Sequence, residues 1–565
     1  MELCYIWVSE YKGFINQGFN FSSKLSFEFS QMDNKLTTKK NEKYIKDFFG
    51  NNIVNITGVV GQNGAGKTNV LELIQYIVAG GNTIINKPFF AIFENENIYS
   101  IYNYRVVIKS ANFVYDLINY TGVIPNVTSI FFSNTIDGRK YNFDKRIKNI
   151  SSNDIVDRYS RVYKKSIIEQ IKFINSNSFR FFEDLENVLS QNNVSEIRPI
   201  NIVLTSPTWS VILHKIELLD VKIKEYSKYD FSMAKFAQNF RKKITDIQSN
   251  KSIKYFTAFI VYIDFILNYD ILDYKKNTAF LSENEYHSYI NNLYSITQKD
   301  LRIDEIFKFI VSEFAIEIDK YFNVFETQKF LIDLDERDFS NFSHNDIKEN
   351  IGTYSNRKVE FTLNFNKSTQ NFIIDYLDII RDESLIFNFS WSGISSGSIA
   401  YLNLLSRFNS ISGLRKENAV IISIDEGDLY FHPKWQAEFL YRLINIIPQI
   451  IKRPCQIFLT THSPFLVSDL PKSNLIFVNK NFDGKLSVIP NEKIAGETFG
   501  GNIGELFLDA FFMKGNLISQ FAASKINTLI SKIKENPKII SKEDKILVEE
   551  IGERLIKLQL KKLME

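Results

Sequence analysis

The sequence has few of the residues that build metal-binding or disulfide-stabilised proteins. Its 565 residues include two cysteines and five histidines. Cys4 and Cys455 lie far apart and lack the spacing of a zinc site or a disulfide framework, so both are predicted to be buried thiols. Sparse cysteine of this kind fits a reducing cytoplasm, which is the location that we expect.

A strong net charge is also lacking. Lys and Arg total 68 and Asp and Glu total 65, so the formal net charge is +3 at pH 7. This near balance gives no sign of a broad nucleic-acid-binding surface, although it leaves room for a local basic groove. Contact with nucleic acid therefore stays an open alternative.

Long apolar segments are absent as well. The N-terminal stretch MELCYIWVSEYKGF has no basic region followed by a sustained apolar run, so we predict a strand and not a signal peptide. The most apolar stretch, residues 257–267, is short and contains Asp264, which favours a buried helix over a membrane span. No sustained heptads occur, which argues against long coiled-coil arms. We expect a soluble protein that does not contact a membrane.

The sequence does contain a glycine-rich loop, GQNGAGKT at residues 61–68, between a β-branched stretch and a segment with helical apolar spacing. The loop matches the P-loop pattern G-x-x-x-x-G-K-[ST], whose glycines let backbone N–H groups approach the β- and γ-phosphates of ATP. Lys67 is predicted to reach these phosphates, and the Thr68 hydroxyl to bind Mg²⁺ at the start of the helix. The residues predicted to contact the nucleotide here are Gly61, Asn63, Gly64, Ala65, Gly66, Lys67, Thr68 and Asn69.

Two adjacent carboxylates follow an apolar run far downstream. The segment AVIISIDEGDLYFHP, residues 419–433, begins as a continuous buried strand and leads into Asp425 and Glu426. In a P-loop enzyme the first acid helps to hold Mg²⁺ and the second can polarise the attacking water. We therefore predict Thr68 and Asp425 as metal ligands and Glu426 as a catalytic residue. The alternative is that the acids only cap a strand at a turn.

Two more segments offer polar groups for a γ-phosphate. The run QIFLTTHSPFL, residues 456–466, is predicted to hold a strand that ends in His462. His462 is predicted to hydrogen-bond that phosphate as a second catalytic residue, although a lone histidine is more often structural. The Ser/Gly loop and helix at residues 390–408 offer Ser395, Ser396 and Gly397 as hydroxyl and backbone donors to the nucleotide. Alone, such a loop is weak support for a phosphate site.

In chain order these segments resemble the head of ABC-type ATPases: Walker A at residues 61–68, a shortened signature at 394–398, Walker B at 419–426 and a switch histidine at His462. The resemblance implies an α/β fold, an ABC-type P-loop head with a mixed sheet, a helical insertion lobe and a C-terminal extension. It also implies that the signature acts in trans on ATP held by a second head, within a homodimer or higher oligomer. A glutamine usually ends a strand after the P-loop helix in that family, whereas Asn134 occupies the corresponding place here.

The predicted organisation splits the head around an insertion. Residues 1–140 form its N-terminal half, 141–385 a mostly helical insertion, 386–480 its C-terminal half, and 481–565 an extension and candidate partner interface. Segments such as SIIEQIKFI have helical spacing, whereas RKVEFTLNF and SLIFNFSW alternate as strands that we expect to return to the head.

Three stretches make the resemblance more specific, to ATPases of bacterial anti-phage defence systems. IDEGDLYFHPKWQ and LTTHSPFLVSDLP are similar to the OLD family and to the PtuA subunits of Septu systems, and residues 497–522 resemble the C-terminal extension of PtuA-type ATPases, including those encoded with retrons. In that family the nuclease is a separate HNH subunit. The resemblance implies an ATP-hydrolysing regulatory subunit with a PtuB-like HNH partner. A retron reverse transcriptase with its RNA or DNA is a further candidate partner.

No nuclease site is predicted in this chain. SHNDIK has no second histidine nearby, and LVEE near the C-terminus lacks the second acidic motif of a TOPRIM nuclease. Two other functions stay open. One is a RecF- or SMC-like ATPase of DNA repair or maintenance, which needs a basic surface across the dimer. The other is an ABC transporter subunit, which the long insertion disfavours.

Overall fold

The structure is a computed structural model that describes residues 1–50, 52–80, 84–135, 141, 143–151, 159–190, 201–226, 233–245, 251–268, 282–299, 301–313, 322–337, 339, 342–351, 354–411, 413, 419–481, 483–509, 518–535 and 540–564. The strands are β1 (Glu2–Tyr11), β2 (Phe14–Asn20), β3 (Leu25–Ser30), β4 (Lys35–Lys40), β5 (Ile53–Gly61), β6 (Phe89–Asn95), β7 (Ile98–Tyr104), β8 (Ser110–Ala111), β9 (Asp116–Asn119), β10 (Val127–Ser133), β11 (Ile147–Asn149), β12 (Asn201–Thr205), β13 (Phe342–Ile351), β14 (Tyr354–Asn364), β15 (Asn388–Ser392), β16 (Ala419–Asp425), β17 (Cys455–Thr460), β18 (Leu475–Lys480) and β19 (Leu486–Ile489).

The α-helices are α1 (Lys67–Val78), α2 (Tyr159–Ile174), α3 (Asn177–Ser190), α4 (Trp209–Tyr226), α5 (Met233–Thr245), α6 (Lys251–Asn268), α7 (Glu283–Gln298), α8 (Ile303–Glu313), α9 (Phe322–Glu336), α10 (Lys367–Ile379), α11 (Ser396–Ser410), α12 (Pro433–Ile451), α13 (Pro464–Ser468), α14 (Ile503–Asp509), α15 (Gln520–Glu535), α16 (Lys542–Glu550) and α17 (Arg554–Met564). The predicted N-terminal strand and P-loop helix are therefore confirmed as β1 and α1.

The largest sheet joins strands from both ends of the chain. Its order is β11-β10-β16-β17-β5-β18-β19-β2-β1-β6-β7-β9. All neighbours from β11 to β18 are parallel, whereas β18 pairs with β19, and β1 with β2 and β6, in the antiparallel sense. The predicted α/β fold with a mixed sheet is confirmed. Because parallel strands end at the same edge, the segments after β5, β16 and β17 meet there.

The parallel strands are buried on both faces. In β16, Ile422 and Ile424 belong to a core shared with the inserted helices, while Ile421 belongs to the core around α1 on the other face. Successive side chains of a strand point to opposite faces, so a strand that is covered on both sides is apolar throughout. This requirement explains the continuous apolar run before Asp425.

The apolar stretch around Asp264 is a buried helix, as predicted, and lies within α6. Asp264 is 1% exposed, and its carboxyl oxygens accept hydrogen bonds from the backbone N–H groups of Arg381 and Asp382. These bonds satisfy a polar group that would otherwise be costly inside the core. Among the helices in the described part of the chain, none has the length and apolar character needed to cross a membrane.

The region between β11 and β15 is mainly helical and contains α2 to α10. RKVEFTLNF and part of SLIFNFSW are strands, as predicted, and form parts of β14 and β15. They do not join the large sheet, however. They belong to a separate antiparallel sheet ordered β13-β14-β12-β15, in which β12 pairs with both. Alternating polarity predicts a strand but leaves its partner undefined.

The C-terminal extension has two parts with different neighbours. Helix α14 packs on α13, the short helix that follows His462. Helices α15 to α17 share a small core of their own, formed by Ile526, Leu529, Ile533, Val548, Ile551 and Leu560. The first part therefore lies beside the segment that carries the predicted switch histidine.

Candidate active site

The P-loop connects the end of β5 to the start of α1, and its glycines are favoured by close contacts or by a left-handed backbone. A Cβ at Gly61 would lie 2.2 Å from the carbonyl oxygen of Val478 in β18. Gly66 has φ 89° and a Cβ there would lie 2.5 Å from the Leu486 side chain, while Gly64 has φ 74°. The left-handed conformation and these approaches favour glycine at each position. Ala65 is buried, and Asn63 is exposed at the surface of the loop.

Lys67 is folded back into the loop. Its side chain is 5% exposed, and Nζ donates to the carbonyl oxygens of Gly61 at 3.1 Å and Gln62 at 3.2 Å. Burial lowers the pKa of Lys67 to about 8, although the nearby Glu426 and Asp425 act in the opposite direction. The ammonium is therefore held at the loop by neutral acceptors that a more negative group could replace.

Thr68 and Asp425 meet although they lie 357 positions apart in the chain. The Thr68 hydroxyl donates to Asp425 at 3.0 Å from Oδ1 and 3.2 Å from Oδ2. Asp425 ends β16 and is 1% exposed. A hydroxyl and a carboxylate are the hard oxygen ligands that Mg²⁺ prefers. The two predicted metal ligands are thus brought together, while the next predicted residue, Asn69, donates from Nδ2 to the carbonyl oxygen of Lys12 at 3.4 Å.

Glu426 and His462 form a more open pair beside Asp425. The distance from His462 Nε2 to Glu426 Oε1 is 3.6 Å, with 41% of the histidine and 24% of the glutamate side chain exposed. Glu426 has φ 50°, in the left-handed region that non-glycine residues seldom adopt. His462 follows β17 by two residues and does not lie within the strand, which ends at Thr460. Both side chains are partly exposed, and both residues lie just after the ends of the core strands β16 and β17.

Hydroxyl groups that the sequence analysis did not identify donate to Asp425 and to the nearby Asp428. Thr460 donates to Asp425 Oδ1 at 2.6 Å, and Ser133 donates to Asp425 Oδ2 at 3.4 Å. Thr461 donates to Asp428 at 2.7 Å, and burial raises the pKa of Asp428. The signal available in the sequence was hydroxyl residues at the ends of apolar strands, in SIFFSN and IFLTTH.

The predicted signature segment makes its hydrogen bonds locally, at the start of α11. Ser395 caps α11: its Oγ accepts from the Ser398 backbone N–H at 3.1 Å and lies 2.8 Å from the Ser398 hydroxyl. Gly397 faces Trp435, with 3.4 Å between a Cβ built there and the indole ring. Within the described chain, Ser395, Ser396 and Gly397 make no hydrogen bond to residues 61–68. The predicted signature residues are therefore not hydrogen-bonded to the P-loop within the described part of one chain.

Asn134 follows β10 and lies directly beside Asp425. Its backbone N–H donates to the Asp425 carbonyl oxygen at 3.2 Å, and the residue is 6% exposed. Among the residues that the structure describes, none accepts a hydrogen bond from its side-chain Nδ2. The predicted substitute for the family glutamine thus lies at the acid cluster with an amide donor available.

A cleft of about 390 Å³ is lined by Glu426 and His462 and by residues of α14 in the predicted C-terminal extension. Glu426 and His462 lie on one side, and Ile503 and Phe507 of α14 on the other. The extension is also tied to the segment after His462, because Ser468 accepts a backbone hydrogen bond from Gly500 at 2.8 Å. Of the apolar residues in the segment 497–522, Leu506 is buried and Phe499 is exposed, and Phe511 and Phe512 lie outside the described residues.

The chain is similar to known proteins over part of its length. Residues 272–468 match the family described as "AAA domain, putative AbiEii toxin, Type IV TA system". This region contains Ser395, Asp425, Glu426 and His462, whereas the P-loop precedes it.

Three relatives are similar to shorter stretches of the chain. A stretch of 127 residues is 32% identical to Septu protein PtuA of Bacillus thuringiensis and covers 21% of this chain and 31% of that protein. A stretch of 170 residues is 28% identical to the retron Vc95 probable ATPase of Vibrio cholerae, with coverage of 24% and 32%. A stretch of 163 residues is 26% identical to Septu protein PtuA of Bacillus mycoides, with coverage of 26% and 21%. The chain thus spans less than a third of the length of these relatives, and the resemblance predicted from the motifs is confirmed.

Proposed function

We propose that this chain binds and hydrolyses ATP as the regulatory subunit of an anti-phage defence complex and controls a separate HNH-type nuclease. The observation that carries the proposal is the contact between Thr68 and Asp425. It joins the predicted P-loop to the predicted acidic motif at the edge where parallel strands end. If the loop were only a glycine-rich turn, or if the acids only capped a strand, the contact between Thr68 and Asp425 would not be expected.

The residues of the loop fit a nucleotide phosphate and Mg²⁺. Added Cβ atoms at Gly61 and Gly66 would collide with β18 and with Leu486, so glycine keeps the loop close to the sheet edge at the start of α1. Helix N-termini and successive backbone N–H groups attract phosphate. Thr68 and Asp425 would hold Mg²⁺ through oxygen atoms, and the bound ion supplies charge neutralisation for the phosphates.

Each remaining residue has a role that its position supports. Lys67 would exchange its bonds to Gly61 and Gln62 for bonds to phosphate oxygens, which are stronger because both partners are charged. Glu426 would orient the attacking water and accept its proton. His462, whose Nε2 lies near Glu426, would donate a hydrogen bond to the γ-phosphate.

We further propose that the site is completed by a second copy of the chain. Ser395, Ser396 and Gly397 lie at the N-terminus of α11 and, within the described chain, make no hydrogen bond to the P-loop. A homodimer through the heads would let these donors contact ATP held by the partner. The proposed division is a head formed by residues 1–140 and 386–480, an insertion at 141–385 and an extension at 481–565.

The extension supports the control of a partner. Residues 498–501 bond to the segment after His462: Thr498 donates to the Leu470 carbonyl oxygen at 2.6 Å, and Gly500 donates to that of Ser468 at 2.8 Å. A change at His462 would therefore reach the extension through a few hydrogen-bonded residues. An effector bound there would respond to the difference between nucleotide states. The relatives named as Septu and retron proteins support the defence setting, and an HNH nuclease, with or without a retron reverse transcriptase, is the proposed partner.

The experiment is to copurify the chain with the HNH nuclease encoded beside it and to measure phosphate release and DNA cleavage with and without ATP and Mg²⁺. We expect phosphate release that requires Mg²⁺, and cleavage that differs between the two nucleotide states. Lys67→Ala should abolish that difference and also abolish protection in a phage challenge. Cleavage that is equal in all conditions would contradict the control, and absence of nucleotide binding would contradict the site itself.

A further inference from the structure

We propose that Thr460 is a positioning residue that sets both acids of the site through a single hydroxyl. The inference rests on the proposed ATP hydrolysis and deepens it, because it assigns a role to a residue that the sequence motifs leave out. Thr460 ends β17, the strand between the P-loop strand β5 and the acid-bearing strand β16.

The sheet register places Thr460 beside the acids. Strands β16 and β17 are parallel, and Ile424 pairs with Leu459, so the next residue on each strand is Asp425 and Thr460. Both are 1% exposed. The Thr460 hydroxyl donates to Asp425 Oδ1 at 2.6 Å and accepts from the Glu426 backbone N–H at 2.9 Å. A threonine hydroxyl has one proton and two lone pairs, so one group can make both bonds at once.

The bond to Asp425 fixes the orientation of its carboxylate. Thr68 donates to the same carboxylate at 3.0 Å from Oδ1, and Ser133 donates to Oδ2 at 3.4 Å. Without the Thr460 hydroxyl, the Asp425 carboxylate would lose its shortest hydrogen bond and would rotate more freely about the bond between Cβ and Cγ. Partners of this kind keep a metal ligand in the orientation that the ion needs.

The bond from Glu426 fixes its backbone. Glu426 has φ 50°, a conformation that a non-glycine residue keeps only where its surroundings impose it. Thr460 accepts the N–H of this residue, and so it supports the turn that directs the Glu426 side chain toward His462. Since the branched Cβ of threonine restricts χ1, the hydroxyl is held in place before any ligand arrives. One side chain thus links the predicted metal ligand to the predicted base.

The test compares Thr460→Val, which replaces the hydroxyl by a methyl group, with Thr460→Ser, which keeps it. Thr460→Ala is a second variant without the hydroxyl, and it replaces Thr460→Val if that variant does not fold. The matched control is Thr57→Val, because Thr57 is also 1% exposed, lies in the adjacent strand β5 and donates only at 3.3 Å to the Phe21 carbonyl oxygen. Thermal melting verifies that each variant is folded.

The first readout is the Mg²⁺ concentration that half-saturates nucleotide binding, measured with a fluorescent ATP analogue, and the second is kcat. For Thr460→Val we expect the half-saturating Mg²⁺ concentration to rise by roughly 10-fold and kcat to fall by roughly 10- to 100-fold. Nucleotide binding without Mg²⁺ should change by less than about twofold, because Thr460 does not contact the P-loop phosphate cradle. Thr460→Ser should restore both values to near wild type, and Thr57→Val should leave both unchanged.

Wild-type values for Thr460→Val, or equal losses in Thr460→Val and Thr460→Ser, would overturn the role of the hydroxyl. A wild-type chain that binds Mg²⁺ and nucleotide without turnover still tests the first readout. A wild-type chain that binds no nucleotide would refute the proposed function as well, which separates the two failures.

Discussion

The acid cluster and the predicted signature segment differ in how their polar groups are hydrogen-bonded within one chain. Asp425 accepts hydrogen bonds from hydroxyl groups on three other segments, Thr68, Ser133 and Thr460. Ser395, in contrast, uses its hydroxyl to cap its own helix. The hydroxyl groups hold the Asp425 carboxylate in one orientation before a ligand binds. The donors at the start of α11 are proposed to contact ATP that a second chain holds. Under the proposed function, one chain supplies the P-loop and the acid cluster of a site, and the predicted signature of a second chain completes that site.

The largest effect that sharpens this comparison is expected at Glu426. Glu426→Gln keeps the size of the side chain but removes the carboxylate, so ATP should still bind while kcat falls by roughly 10²-fold or more. Phosphate release under single-turnover conditions measures the change. Glu492→Gln, an exposed position elsewhere on the chain, is the control for the same chemical change. Unchanged turnover in Glu426→Gln would place the base elsewhere.

A somewhat smaller effect is expected at Lys67. Lys67→Ala removes the cation that now bonds to two loop carbonyls, so nucleotide affinity should fall by roughly 10- to 100-fold. Equilibrium binding of a fluorescent ATP analogue measures it. Equal affinity in both proteins would count against the P-loop as the nucleotide site.

The signature should respond differently from both. Ser395→Arg adds bulk and charge at the start of α11, so nucleotide binding should survive while ATP-induced dimerisation weakens by roughly 10-fold or more. Dimerisation is best measured in a Glu426→Gln background, where ATP is not consumed, by light scattering with and without ATP. If Ser395→Arg dimerises as its parent does, the signature does not close on a second chain.

The smallest effect concerns the cap alone. Ser395→Ala removes the side-chain acceptor for the Ser398 N–H and should lower stability by about 1 kcal/mol. A small decrease in melting temperature is the expected result, with retention of nucleotide binding. A melting temperature equal to that of wild type would mean that the cap contributes little here.

The sequence predicted those parts of the site that are contiguous along the chain. Gly61 to Thr68 form one motif, and Asp425 and Glu426 follow one apolar run, so local pattern was sufficient. Thr460 and Ser133 could not be identified in this way, because they act only when β17 and β10 lie beside β16. Strand order depends on contacts between distant segments, which periodicity does not encode.

The same limit explains the placement of the strands near residue 360. Their alternation predicted β14 and β15, yet they pair with β12 from far upstream and form a sheet of their own. The segment SIIEQIKFI, in contrast, lies within α2 as its spacing predicts. The hydrogen bonds of a helix are local, and its apolar spacing indicates which face is buried.

Complementation between two inactive variants tests most directly whether two chains share one ATP site. Lys67→Ala lacks an intact P-loop, and Ser395→Arg lacks an intact signature, so each alone should hydrolyse ATP poorly. In a mixed dimer, the P-loop of the Ser395→Arg chain faces the signature of the Lys67→Ala chain, and both of these are intact. Random pairing should therefore restore about a quarter of the wild-type rate, since half of the dimers would each hold one complete site. A mixture that hydrolyses ATP no faster than the sum of its two components would contradict a site shared between two chains.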